Sequence, residues 1–364
     1  MSTSTQSLTA PTAEAFLERF FSSALATAEL MSAYLGDRLG WYADLAAHPA
    51  STADQLARRT GTNARYAREW LEMQSAYGIL EADTASAPVT FTLPAGPAEV
   101  LLNHTSLAYL GALPRMFAAS FRHLPELLDA YRHGGGVSWA RLGADARESQ
   151  AALNRPWFDT RLAPALARVA DLHRPLGRPG ARVLDVGCGG GWSTIALARA
   201  YPGATFVGID PDAESVVMAK ANAAALAVTD QTTFVTADGT TAPAHGPFDL
   251  AFAFECLHDM SDPVSVLSAI RESLAPGGRL VVMDEAVSYE FDGPANELDR
   301  FMYAASLFVC LPDGMSSDTP SAGTGTVLRP STLTRYADRA GFGEPRVLPI
   351  EDFSFFRFYE LIPR

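Results

Sequence analysis

Apolar positions follow different periods on either side of about residue 180. From Ala13 to Asp37 they recur at helical spacing, with Phe16, Leu17, Phe20, Phe21 and Leu25 on one stripe, so a long amphipathic helix is expected there. Two overlapping capping boxes, Ser51-Thr-Ala-Asp54 and Thr52-Ala-Asp-Gln55, open a short helix. Thr60-Gly-Thr-Asn63 ends it and caps another through Trp70, Leu71 and Met73. Gly78 then releases two apolar runs, Ile79–Asp83 and Val89–Leu93, with a polar turn between them. Helix, turn, helix and hairpin in that order make a winged helix. Residues 97 to 180 are mostly helical but punctuated by prolines at 114, 125, 156, 164 and 175. The consecutive glycines of Arg132-His-Gly-Gly-Gly-Val-Ser-Trp139 predict either a mobile loop covering a substrate or a plain exposed loop.

Beyond residue 180 short apolar runs alternate with helical segments. Val183, Leu184 and Val186 read as a buried strand that runs into D-x-G-x-G-x-G (Asp185, Gly187, Gly189, Gly191) and a helix from about Ser193 to Ala200. Further strands are expected at Ala204–Asp210, Thr233–Asp238, Phe248–Phe254 and Arg279–Asp284, with a helix completed by Lys220–Ala227. Pro345–Leu361 reads as an antiparallel hairpin at the sheet edge. Such alternation predicts an α/β sheet with its ligand at the carboxyl ends of the strands.

The glycines let the chain turn tightly and let a ligand come close. Asp210 ends the next strand, where a carboxylate accepts hydrogen bonds from a ribose, so a nucleoside is implied. The G-x-G-x-G spacing after Asp185 differs from the dinucleotide fingerprint and favours S-adenosylmethionine over a pyrophosphate.

Taken in order, Leu184-Asp-Val-Gly-Cys-Gly-Gly-Gly191, Gly208-Ile-Asp210, Ala237-Asp-Gly239, Phe248-Asp-Leu250 leading to Leu257-His-Asp-Met-Ser-Asp262, and Leu274-Ala-Pro-Gly-Gly-Arg279 resemble class I S-adenosylmethionine-dependent methyltransferases. The resemblance covers roughly residues 150 to 364. More narrowly, the chain is similar to bacterial small-molecule O-methyltransferases with an N-terminal winged-helix domain. It implies an α/β, Rossmann-like seven-stranded domain behind an α-rich winged-helix domain: 1–96 winged helix and dimerisation, 97–175 helical linker and lid, 176–364 cofactor domain with a helical insertion at 290–328. S-adenosylmethionine would be held by Asp185, Gly187, Gly189, Gly191, Asp210, Asp238, Gly239 and Glu255, with Asp238 accepting from the adenine amino group and Gly239 admitting the base.

His258 stands where plant-type O-methyltransferases carry H-D-W-S-D with a catalytic base, and Met260 replaces the tryptophan. Asp284, beside Glu285, matches the supporting carboxylate; the family's second glutamate is absent, Leu328 taking its place. General base and simple positioning residue are both open to His258. Acceptor contacts are expected from Trp139, Trp157, Met302 and Tyr303, the last two on an apolar helix over Pro294–Leu311. O-methylation of an aromatic or polyketide-like acceptor is the leading reading. The same fold and cofactor can serve decarboxylation, hydroxylation or cyclisation, and a winged-helix regulator with a cofactor-sensing domain is a third possibility.

Charge changes that weighting. The chain carries a net −13 over 364 residues with a single lysine, Lys220, and residues 51–93 hold four arginines against five acids. That balance is wrong for a reader of nucleic acid. Three cysteines (188, 256, 310) at neither disulfide nor zinc spacing fit a reducing cytoplasm, and no metal is expected. The polar Met1–Ser7 stretch lacks the pattern of a signal peptide, and Phe301–Leu311 is too short to span a membrane. The aromatic stripe near Phe16 is expected to be buried, either within its own domain or in a homodimer interface.

Overall fold

The computed structural model describes residues 11–291, 293–317 and 320–364; Met1–Ser7 therefore lie outside the described residues. The chain divides into two compact units, Met1–Asn103 with Leu110–Pro114, and His104–Tyr109 with Arg115–Arg364.

The first unit contains α1 (Ala13–Arg38), α2 (Trp41–Ala47), α3 (Ala53–Thr60), α4 (Ala64–Ala76), the antiparallel pair β1 (Glu81–Asp83) and β2 (Thr90–Thr92), and α5 (Ala95–Leu102). Of the two capping boxes, Thr52 and Gln55 form the one used: each side chain bonds the other residue's backbone N–H. Gly61 ends α3 in the left-handed region at φ 68°, and Asn63 caps α4. Tyr42, Leu45, Leu56, Trp70 and Leu71 form the core, and Trp70 Nε1 donates to Ser32 O at 2.9 Å, tying the C-terminal half of α1 to α4. The N-terminal half of α1 keeps Phe16, Leu17, Phe20, Phe21 and Leu25 exposed by 44–67%.

In the second unit come most of α6 (Leu113–Phe121), α7 (Leu124–His133), α8 (Trp139–Trp157), α9 (Ala163–Ala167) and α10 (Ala170–Leu176), and then the sheet. Its strands are β3 (Arg182–Val186), β4 (Thr205–Asp210), β5 (Thr232–Thr236), β6 (Phe248–Phe254), β7 (Leu274–Glu285), β8 (Arg346–Val347) and β9 (Phe356–Leu361), in spatial order 5-4-3-6-7-9-8. Strands β3 to β7 run parallel and β9 antiparallel against β7. Helices α11 (Trp192–Ala200), α12 (Ala213–Ala225), α13 (Pro263–Ser273), α14 (Glu297–Ala305), α15 (Leu311–Gly314) and α16 (Pro330–Arg339) complete the unit. Central strands buried on both faces need continuous apolar runs, and Leu250–Ala253 and Leu280–Met283 supply them with no exposed residue. Strand order reverses between β3 and β6, which opens a crevice at their carboxyl ends.

Two elements differ from the sequence reading. The helix expected over Pro294–Leu311 starts at Glu297, where Asn296 caps it, and passes through a π-helical segment at Ser306–Cys310. The glycine loop at 134–136 is not loose: Val137 N donates to Pro312 O at 3.1 Å, Trp139 N to Asp313 Oδ1 at 2.7 Å, and a side chain on Gly136 would drive its Cβ to 1.8 Å from Pro312 O. Gly136 thus serves close packing on α15, whereas Gly134 and Gly135 are exposed, as expected of a plain loop.

Candidate active site

The glycine loop leaves β3 with Gly187, Gly189 and Gly191 all at positive φ. Gly187 is glycine for a packing reason as well, since a Cβ would lie 2.5 Å from Cys256 Cβ. Nothing stands within 4 Å of the Cβ direction of Gly189, so the loop is open at that point. Its N–H donates to Asp210 Oδ2 at 2.8 Å, and Asp212 N–H donates to Asp210 Oδ1 at 2.9 Å. Asp210 is 8% exposed; burial outweighs those two bonds and raises its carboxyl above the ordinary value. Each of its oxygens still has lone-pair capacity for a ligand hydroxyl.

Asp185 turns the other way. Its Oδ2 accepts from Ser193 Oγ at 2.6 Å and Thr194 Oγ1 at 2.5 Å, which ties the strand to the first turn of α11, and burial raises its carboxyl to about 6. Asp238 is exposed just past β5, where its Oδ1 accepts from the N–H and hydroxyl of Thr240. Gly239 is buried, and a Cβ on it would meet Val266 at 2.7 Å and Val186 at 3.0 Å, so helix packing already requires glycine there.

Glu255 follows β6 with φ 50°, a left-handed conformation that costs a non-glycine residue roughly 1–2 kcal/mol. Its Oε2 accepts from Gln150 Nε2 at 2.7 Å and Asn154 Nδ2 at 2.8 Å, both from α8, while Oε1 is buried without a partner. Burial raises its carboxyl to about 7.

Three residues on, a short 3-10 turn over Leu257–Asp259 carries His258 between β6 and α13, which Asp262 caps through Ser265 N–H. The imidazole is 2% exposed. Nδ1 lies 3.0 and 3.1 Å from the two oxygens of Asp284 at the end of β7 and 3.4 Å from Glu285 Oε2; Nε2 lies 3.3 Å from Asp259 Oδ1. Burial opposes the charge on this ring, but Asp259, Asp284 and Glu285 together outweigh it and hold His258 well above its usual range. Burial drives Glu285 well above the usual carboxylate range, and the charge of His258 opposes that rise. The sulfur of Cys310 completes the surroundings: the ligand atoms of His258, Asp259 and Cys310 fall within 4.8 Å of one another, as do those of His258, Asp284 and Glu285.

The remaining residues named from sequence are scattered. Trp139 packs on the cluster of Leu142, Val309 and Cys310, next to the His258 surroundings. Trp157 packs instead against Phe353, ring centroids 5.8 Å apart. Met302 is a core residue at 2% exposure, and Tyr303 points outward to Arg329 Nη2, 3.0 Å from its hydroxyl. Leu328, where the second glutamate was missed, is buried apolar core. Gln150, Asn154, Asp259 and Glu285 were not among the sequence-derived site residues; a polar i, i+4 pair on a helix, and a second acid after Asp284, were the signals available.

Residues 178–321 match the family described as methyltransferase domain, and residues 26–103 the one described as Rv2258c-like winged HTH domain. Residues 178–321 are thus a methyltransferase domain of the class I S-adenosylmethionine-dependent kind. A winged-helix domain precedes it. Over 111 residues the chain is 36% identical to a ubiquinone biosynthesis O-methyltransferase of Cereibacter sphaeroides, which is 30% of this chain and 44% of that protein. The chain thus spans less than half the length of this curated relative. Among solved structures it resembles the mitomycin 7-O-methyltransferase MmcR (TM-score 0.72, 19% identity, 97% and 99% of the two chains). It also resembles human N-acetylserotonin methyltransferase in complex with S-adenosylmethionine (TM-score 0.70, 18% identity, 100% and 99%). At that identity the likeness is one of fold.

The residues present fit the family's cofactor. An open glycine turn at Gly189, a buried carboxylate at the end of β4 and an unpartnered buried oxygen on Glu255 are the donor and acceptor set that a ribose and an amino-acid moiety need.

Proposed function

We propose that the protein methylates a hydroxyl of a small aromatic or polyketide-like acceptor, with His258 as general base. The observation that carries this reading is the His258–Asp284 contact at 3.0 Å, because it fixes the imidazole at the carboxyl edge of the sheet. With Nδ1–H donated to Asp284, the neutral ring carries its lone pair on Nε2, beside Asp259 Oδ1 at 3.3 Å, and that is the atom that would meet an incoming hydroxyl. S-adenosylmethionine, when bound, supplies an electrophilic methyl group. Gly187, Gly189, Asp210 and Glu255 hold and orient it, and alignment of this kind is worth roughly 7 to 11 kcal/mol. His258 removes the proton from the acceptor oxygen, and Asp284 stabilises the imidazolium that results. Trp139 and Phe308, in the apolar cluster that reaches Cys310, give an acceptor an aromatic wall on the His258 side.

The winged helix serves assembly rather than nucleic-acid binding in this reading. On α4, Arg65 and Arg68 are each paired with a glutamate four residues on, and Arg59 is paired with Asp44. The exposed stripe on α1 is the surface through which two copies would associate. A panel of phenols and hydroxyquinones incubated with methyl-deuterated cofactor, followed by mass spectrometry, tests the reaction. A labelled methyl ether supports it; labelled N- or C-methyl products, or cofactor turnover without methylated product, would refute it.

A further inference from the structure

Groups of three different chemistries converge on the Nε2 side of the His258 ring. Nε2 lies 3.3 Å from Asp259 Oδ1, yet that oxygen is buried without a hydrogen-bond partner. The Cys310 thiol is free and buried, and its sulfur falls within 4.8 Å of both atoms. Thr326, 2% exposed, faces Cys310 and keeps its hydroxyl oxygen unpartnered as well. Two buried polar atoms left open around one imidazole point to a ligand.

The elements that carry these atoms are pinned to one another. His258 O accepts from Gly325 N at 3.1 Å, Ser261 O accepts from Ala322 N at 2.8 Å, and Ser261 Oγ donates to Gly314 O at 2.8 Å. The turn over Leu257–Asp259, α15 and the segment leading into Thr326 therefore hold together. On the Nδ1 side the ring is fixed by Asp284 at 3.0 Å. A histidine whose second nitrogen is held by a carboxylate is the arrangement that orients an imidazole toward zinc and raises its basicity. Zinc bonds to nitrogen and oxygen of roughly 2.0 to 2.2 Å put neighbouring ligand atoms of a tetrahedron roughly 3.4 Å apart, and Nε2 and Oδ1 already stand at 3.3 Å. Thiolate, imidazole and carboxylate together suit Zn²⁺ rather than Mg²⁺ or Ca²⁺, which take oxygen ligands.

We propose that His258 Nε2, Asp259 Oδ1 and Cys310 Sγ bind a zinc ion, which occupies the base and shuts the reaction off. The shut-off rests on the reading of His258 as the base; the binding does not. On binding, Cys310 loses its thiol proton to solvent, Nε2 is unprotonated, and the Thr326 hydroxyl gains a thiolate to donate to. The Asp259 side chain is 32% exposed, which gives the ion a way in and lets water complete four-coordination. Ligands that come from a turn after β6 and from the insertion are invisible to the spacing rules behind the expectation of no metal.

Cobalt(II) added to the full chain tests the binding, because a thiolate ligand gives cobalt a charge-transfer band in the near ultraviolet that nitrogen and oxygen ligands do not. Wild type should develop the band at equimolar cobalt and lose it to equimolar zinc, with a calorimetric Kd for zinc of about 1 µM or tighter. Cys310→Ser should abolish the band, and both it and Asp259→Asn should weaken zinc about tenfold or more. Binding of S-adenosylhomocysteine within about twofold of wild type reports an intact fold in each variant. No band in wild type, a band that survives Cys310→Ser, or a zinc Kd weaker than about 100 µM would overturn the site. In the labelled-methyl assay equimolar zinc should lower turnover about tenfold or more, and a chelator should restore it. Unchanged turnover with zinc bound would overturn the shut-off. The cobalt band does not depend on turnover, so the site stands or falls apart from the methyl-transfer reading.

Discussion

Asp210→Ala removes the carboxylate that holds the cofactor crevice together from both sides. Internally it accepts from Gly189 N–H at 2.8 Å and Asp212 N–H at 2.9 Å. In the proposed function it also accepts from two ribose hydroxyls. Hydrogen bonds to a charged group contribute about 1.5 to 3 kcal/mol each, so losing the two ribose bonds should cost about 3 to 6 kcal/mol, or roughly 10² to 10⁴ in affinity. The internal bonds add to this by releasing the glycine turn. Asp210→Asn is the finer instrument, because an amide keeps one acceptor oxygen and sets its NH₂ against one of the two backbone donors; its loss should be about half as large in free energy. Calorimetric titration with S-adenosylhomocysteine and with 5′-methylthioadenosine measures both. Both ligands contain the ribose, so both should weaken together. Binding of S-adenosylhomocysteine to the alanine variant within about twofold of wild type, a difference near 0.4 kcal/mol, would refute the ribose assignment.

Asp284→Asn should move the low-pH limb of turnover to lower pH, because one of the three carboxylates that hold His258 charged is lost, and should lower the plateau by about 10 to 10²; an unmoved limb in the pH–rate profile would argue against the dyad. Arg147→Ala leaves Asp212 without its ion-pair partner in a site where both side chains are about one-tenth exposed, and should cost about 3 kcal/mol in chemical denaturation. A change below about 0.5 kcal/mol would mean that α8 is held by packing alone. Replacing Leu17 and Phe21 by aspartate should convert a dimer to a monomer in light scattering, since both are exposed by more than 60% in the single chain. An unchanged mass would place any interface elsewhere.

Much of the cofactor half was legible because it is local. A strand that ends in acid and glycine, and a second strand that ends in Asp210, are patterns of a few adjacent residues, and the family resemblance that such motifs carry implied the seven-stranded α/β sheet. Residues whose role depends on a partner far along the chain were not legible. Gln150 and Asn154 meet Glu255 across about a hundred positions, and Cys310 reaches the His258 surroundings from an insertion whose π-helical turn has no local signature. Local patterns also left choices open: the loop at 134–136 read as either a mobile cover or plainly exposed, and in it Gly134 and Gly135 are exposed while Gly136 packs on α15. Asp185, expected at the cofactor, holds the start of α11, and Gly239 is required by Val266 whether or not a base approaches. Met302 lies in the core and Trp157, partly buried, packs against it, positions that large apolar side chains take as readily as an acceptor site.

Turnover of His258→Ala against pH, at saturating cofactor and with a phenolic acceptor found by product analysis, tests the proposed chemistry most directly. Wild-type turnover should rise with pH and do so above the ordinary imidazole range, because Asp259, Asp284 and Glu285 keep the ring protonated until then despite its burial. The alanine variant should lose roughly 10² to 10⁴ in turnover, lack that limb, keep its affinity for S-adenosylhomocysteine, and recover at high pH as the acceptor ionises unaided. A variant with the wild-type profile and a loss of less than about tenfold would contradict the assignment of His258 as the base.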